Sequence, residues 1–233
     1  MGYQNLIKDF QKLKNPKKVA ILSSFFKTGK GEYGEGDVFL GLTVPQQRLF
    51  VKKYLNLKLK DLELLLSSKV HEFRLTSLLI LVAKYKKADE ARKKEIFDFY
   101  LKNTKNINNW DLVDLSAPNI IGQYLLDKDK SVLIEMAKSK DLWKKRISIL
   151  ASYAFIKENQ FDYTFQISKL LLSDKHDLIH KAVGWMLREA GKRNQDKEEI
   201  FLKKYYKTMP RTMLRYAIEK FDDNKRKFYL GKN

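Results

Sequence analysis

The stretch Leu75-Thr76-Ser77-Leu78-Leu79-Ile80-Leu81-Val82-Ala83-Lys84-Tyr85 decides the fold class. Its Leu75, Leu78, Leu79, Val82 and Tyr85 recur at the three- and four-residue spacing that gathers side chains on one face of a helix. The same spacing recurs on either side, with Leu6, Ile7, Phe10 and Leu13 forming one stripe and Ile96, Phe97, Tyr100 and Leu101 another. Strand signals are scarce, so the chain reads as all-α.

Helix starts are marked by proline in a first turn that has no internal use for its N–H, at Asn15-Pro16, Thr43-Val44-Pro45 and Thr208-Met209-Pro210. Pro118 lies seven residues after Asp111, so it either kinks a helix or separates two short ones. Between about residues 15 and 220 the helical segments pair across short polar turns such as Ser173-Asp174-Lys175 and Asn194-Gln195-Asp196. No strict repeat is visible, but HEAT-like repeats of about 40–47 residues are degenerate and the chain has room for about five. The expected architecture is an α-solenoid of HEAT-like repeats with a concave basic face, organised as one domain over residues 1–233, with a compact bundle as the alternative. The segment from Gly29 to Gly41 holds five of the ten glycines and must be a loop.

The 233 residues carry 47 Lys and Arg against 28 Asp and Glu, a net charge of +19. With 44% hydrophobic and 12% aromatic residues the chain is no disordered basic tail. So large a charge repels itself unless an anion offsets it, which favours a polyanionic partner, nucleic acid ahead of an anionic membrane. A general enrichment in lysine is the bland explanation. The absence of cysteine rules out disulfides, thiolate metal sites and a catalytic thiol. The N-terminal sequence lacks the apolar stretch of a signal peptide, and no segment approaches the roughly 20 apolar residues that span a bilayer. A soluble, cytoplasmic, monomeric protein without a cofactor is expected.

Two motifs are decoys. Gly29-Lys30-Gly31-Glu32-Tyr33-Gly34 matches G-x-G-x-x-G, but a helical segment precedes it and Glu32 and Glu35 would repel a phosphate. His176 and His180 stand four apart without the glutamate of a zincin motif, so they read as surface or capping histidines.

Four segments carry chemistry. In Asn108-Asn109-Trp110-Asp111-Leu112-Val113-Asp114, helical geometry puts Trp110 and Asp114 about 40° apart on one face. Asp111 reads as a first-turn acid that complements the helix dipole, so Asp111→Asn is expected to have little effect. In the segment from His180 to Glu189, Lys181 and Arg188 flank Trp185 at helical spacing, while Ala182 and Gly184 permit close packing. Around Trp143-Lys144-Lys145-Arg146, Arg146 enters an apolar run and Trp143 reads as core. Arg211 and Arg215 project from the first turns of a helix, a suitable phosphate clamp.

Together with the segment GEGDVFLGLTVPQQR, these runs resemble the AlkD-like DNA alkylation repair family, the HEAT-like-repeat DNA glycosylases, in the family's order and through most of the chain. The resemblance implies a curved stack of helix pairs holding duplex DNA, and release of N3- or N7-alkylated purines while the lesion stays largely stacked. It assigns catalytic roles to Trp110, Asp114 and Trp185 and a phosphate contact to Arg146, and it brings Thr43, Gln46 and Arg48 near the DNA backbone. Lys181, Arg188, Arg211 and Arg215 complete the expected DNA-binding set. Val44 is apolar where it adjoins that backbone contact, and the long glycine loop marks a variant branch.

The chemistry is sound without the family. An N-alkylated purine is already cationic, so its glycosidic bond breaks with oxocarbenium-like charge on the sugar and without a strong general acid. One fixed carboxylate, Asp114, stabilises that charge and orients water. Trp110 and Trp185 supply electron-rich faces. The alternatives are a catalytically silent repeat protein that binds damaged or structured DNA, and a helical scaffold for an acidic partner.

Overall fold

The computed structural model describes residues 2–231, and its elements are helices; the extended pairing among the described residues is an isolated bridge between Val38 and Val70. This is the all-α helical-repeat fold that the apolar spacing predicts. Two compact units divide the chain, one ending at Ser116 and one beginning at Ala117.

The first unit contains α1 (Tyr3–Lys12), α2 (Pro16–Phe25), α3 (Val44–Lys53), α4 (Leu59–Leu66), α5 (His71–Tyr85), α6 (Glu90–Lys102) and α7 (Trp110–Ala117), the last residue of which already belongs to the second unit. Its centre is α5, which packs against α3, α4 and α6. Every α5 residue except Ala83 and Lys84 is buried, so the predicted stripe is one side of a helix enclosed all round. Its polar side chains are therefore bonded. Ser77 Oγ donates to the Leu62 carbonyl at 2.8 Å and Thr76 Oγ1 to Gln47 Oε1 at 3.1 Å. In α1, Leu6 and Phe10 are buried, whereas Leu13 falls just past the helix end and is 40% exposed.

The glycine-rich segment is a loop, as expected, and it is filled from within. The Gly29 and Gly31 amides donate to Glu32 and Glu35, each at 2.8 Å, so acids of the loop itself occupy N–H groups that a phosphate would need. Further on, Glu72 Oε1 accepts from the amides of Leu40, Gly41 and Leu42 at 3.0, 2.8 and 3.2 Å. Gly41 has φ +92°, and a Cβ there would lie 2.3 Å from the Asn15 carbonyl, two reasons for glycine. Asn15 caps α2, accepting from the Lys18 amide at 3.3 Å, and Pro16 opens that helix as predicted. Pro210 instead occupies the N-cap, one position earlier than the sequence suggests.

The second unit begins with a π-helical turn, Pro118–Gly122, and continues through α8 (Gln123–Leu125), α9 (Ser131–Lys138), α10 (Leu142–Lys157), α11 (Asp162–Leu170), α12 (Asp177–Arg193), α13 (Gln195–Tyr205), α14 (Arg211–Ala217) and α15 (Asp223–Tyr229). Pro118 has no N–H for the i−4 carbonyl, and the helical ladder widens at this point rather than ending. Helix α12 packs between α10 and α14. Gly184 makes the α14 contact possible, since a Cβ there would lie 2.4 Å from the Met213 carbonyl. Asn194 alone separates α12 from α13, ending one helix and capping the next. Trp143, expected in the core, is half-buried in the first turn of α10. No described helix is long and apolar enough to cross a membrane.

Candidate active site

Helix α7 carries Trp110 and Asp114, both half-buried. The indole of Trp110 stacks on Phe26 at 5.2 Å and 12°, with Phe25 edge-on at 5.7 Å. Near the other end of the helix, the Tyr100 hydroxyl meets Ser116 Oγ at 2.9 Å. Burial pushes the Tyr100 hydroxyl well above its ordinary value, and the negative charge of Asp114 adds to the effect.

The start of α7 is held by a cluster that the sequence did not reveal. His71, 1% exposed, bonds Asp111 Oδ2 through Nε2 at 2.8 Å and Asp37 Oδ2 through Nδ1 at 3.0 Å. The other oxygen of Asp37 accepts from Arg74 Nη2 at 2.7 Å, and Asn109 Nδ2 donates to Asp37 Oδ2 at 3.2 Å. Burial opposes ionisation of His71, but the charge and hydrogen bond of Asp111, with the bond to Asp37, overcome it and push the imidazole up to about 9. Burial likewise opposes ionisation of Asp37, and His71 and Arg74 reverse it, holding that carboxyl below the usual range. His71 is therefore an imidazolium and Asp37 a carboxylate at neutral pH. Asp111, 4% exposed, is thus part of a buried ionic chain, which overturns its reading as a replaceable dipole acid.

This cluster fixes a pH signature. A histidine raised from 6.5 to about 9 stabilises the fold fully below pH 6.5, and that contribution is lost as pH rises to about 9. Asp37, lowered from 3.8, acts oppositely, and its contribution is lost as the solution becomes acidic. Urea midpoints followed by circular dichroism should fall between pH 6.5 and 9 in the natural sequence, and a His71→Gln variant should lose that slope.

On α3, Thr43 and Gln46 serve the helix start. The Thr43 amide and Oγ1 both donate to Gln46 Oε1 at 2.9 Å. Arg48 is exposed and has no ion pair among the described residues.

In the second unit, Arg146 on α10 is only 5% exposed, and its Nη1 donates to the Leu178 carbonyl in the first turn of α12. Arg146→Ala should cost about 1.5–3 kcal/mol, the range for a charged hydrogen bond, measurable as a lowered urea midpoint. On α12, Trp185 is half-buried, donates from Nε1 to Glu189 Oε1 at 3.1 Å, and lies 6.4 Å from the Tyr153 ring. The flanking cations face carboxylates: Lys181 pairs with Asp177 at 2.6 Å and Arg188 with Glu219. Arg211 gives Nη2 to the Leu230 carbonyl at 2.7 Å at the start of the seven-residue α14, so one of the two arginines of the expected clamp is already engaged. Arg215 is exposed without an ion pair among the described residues.

His176 caps α12 through Nδ1, which accepts from the Leu178 amide at 3.1 Å, and His180 Nε2 bonds the Asp174 carbonyl. No group of three or more His, Asp or Glu among the described residues is arranged to hold a metal ion.

The solved structure of a predicted DNA alkylation repair enzyme from Enterococcus faecalis matches with a TM-score of 0.71, covering 90% of this chain and 97% of that one at 16% identity, which establishes a shared fold. No curated protein sequence matches the chain. The model of the family described as DNA alkylation repair enzyme matches residues 6–221. That match takes in the Trp110 and Asp114 helix, the buried cluster behind it and the α10, α12 and α14 helices, and the chain therefore belongs to the DNA alkylation repair enzyme family.

Proposed function

We propose that the protein is a DNA glycosylase that releases N3- or N7-alkylated purines from duplex DNA. The observation that carries this reading is the half-buried Asp114 carboxylate, one turn after the indole of Trp110 on a helix anchored by buried ion pairs. An alkylated purine leaves with the electron pair of its C1′–N bond, which cancels the positive charge on the base. Positive charge then develops on the sugar, where a fixed carboxylate is most stabilising. Water held by Asp114 adds to C1′ and gives up its proton to solvent. Trp110 offers an aromatic face to the cationic nucleotide.

Incubation with methylated duplex DNA and chromatography of the released bases tests the reading. Release of 7-methylguanine or 3-methyladenine supports it. Tight binding without release would replace it with a silent damage-binding protein.

Duplex affinity should also fall steeply with salt, with a log–log slope corresponding to roughly five or more phosphates. The charge of +19 and the exposed Arg48 and Arg215 support this expectation. Binding that ignores salt would count against a backbone interface.

A further inference from the structure

We infer that the buried Asp37–His71–Asp111 chain is the device that sets the pose of Trp110, with His71 as a positioning residue for the glycosylase reading above, on which this inference rests. Asn109, Trp110 and Asp111 are consecutive. Both neighbours of the indole are tied to the same imidazole–carboxylate pair: Asn109 Nδ2 to Asp37 at 3.2 Å, and Asp111 to His71 at 2.8 Å. A third tie is aromatic. The His71 ring lies 4.7 Å from both Phe26 and Phe39, and Phe26 in turn stacks on Trp110. Trp110 is thus fixed through its backbone on both sides and through its ring.

The chain holds together in one protonation state. An imidazolium has two N–H donors and serves Asp37 and Asp111 at once, whereas a neutral imidazole has one donor and turns a lone pair toward the other carboxylate. The charged groups around His71 are Asp37 from the loop, Asp111 at the start of α7 and Arg74 from its own helix, with Asn109 bonded to Asp37 behind them. Glu72, next in sequence, is turned to the loop amides instead. With His71 protonated the two cations balance the two carboxylates. Without that proton one buried negative charge is left over, and either the loop or the first turn of α7 must let go. Displacing that turn moves Trp110, and a misplacement of about 1 Å can cost on the order of a hundredfold in rate.

The test follows Trp110 directly. In protein labelled with 5-fluorotryptophan, with the Trp110 signal assigned by its loss in Trp110→Phe, that signal should shift between pH 7.5 and 10.5 in step with the His71 ring protons. His71→Gln should remove the shift and lower kcat for 7-methylguanine release at pH 7.5 by roughly tenfold to a hundredfold. The double variant His71→Gln/Asp111→Asn restores charge balance and should recover most of the loss while staying insensitive to alkaline pH. A Trp110 signal that stays flat while His71 titrates would overturn the inference, as would pH–rate profiles that superimpose for the natural protein and His71→Gln. A protein that releases no base while its Trp110 signal still follows His71 would sink the glycosylase reading and support the positioning role.

Discussion

Asp114→Asn is expected to reduce release of 7-methylguanine by on the order of a hundredfold or more, the scale on which a preorganised electrostatic contact to a developing charge acts. The substitution keeps the size of the side chain and deletes its charge. Duplex affinity should change little, because a carboxylate near phosphates gives no binding energy. The surface acid Asp98 is a suitable control, paired at 2.6 Å with Lys94 one turn away and exposed. Asp98→Asn should leave excision and stability nearly unaltered, since exposed pairs contribute only about 0.3–0.5 kcal/mol. Single-turnover release from a methylated duplex separates chemistry from binding. Unchanged release from Asp114→Asn would defeat the mechanism even if the protein proved to be a glycosylase.

Asp111→Ala should unfold the first unit far more readily than any surface change, with a loss of about 3–5 kcal/mol, because one member of a buried ionic chain disappears and its partner is stranded. His71 and Arg74 would then face the single carboxylate of Asp37 in a region where His71 is 1% exposed. Urea unfolding monitored by circular dichroism at pH 7 measures the loss. A cost below about 1 kcal/mol would mean that water reaches the cluster and weakens it. The contrast with Asp114 is informative, for the two acids lie three residues apart on one helix yet differ in burial. Changing Asp114 should alter rate first, and changing Asp111 should alter stability first.

Helical geometry placed Asp111 on a different side of α7 from Trp110 but gave no sign of what lay opposite it. Its partner His71 is 40 residues away, and the other partner of that histidine, Asp37, is 34 residues away in the glycine loop. A lone histidine opening an apolar helix carries no local mark of being ionised, because its charge is set by carboxylates that only folding delivers. The environment of Arg146 was hidden for the same reason: its entry into an apolar run was legible, but its bond to the Leu178 carbonyl, 32 residues on, was not.

The sequence by itself determined what depends on neighbours within a few residues. Periodicity of 3.6 specified the helices; Asn15 with Pro16 and Thr43 with Pro45 specified their starts; glycine spacing marked the loop; and Trp110 and Asp114 were paired by a single helical turn. Tertiary structure decided which polar groups are buried and therefore which charges are fixed. Burial removes the solvation of each ion, so its charge survives only if distant residues supply compensating bonds. That is why Asp111 and Arg146 belong to the interior, and why the setting of Trp110 rests on a histidine in another helix.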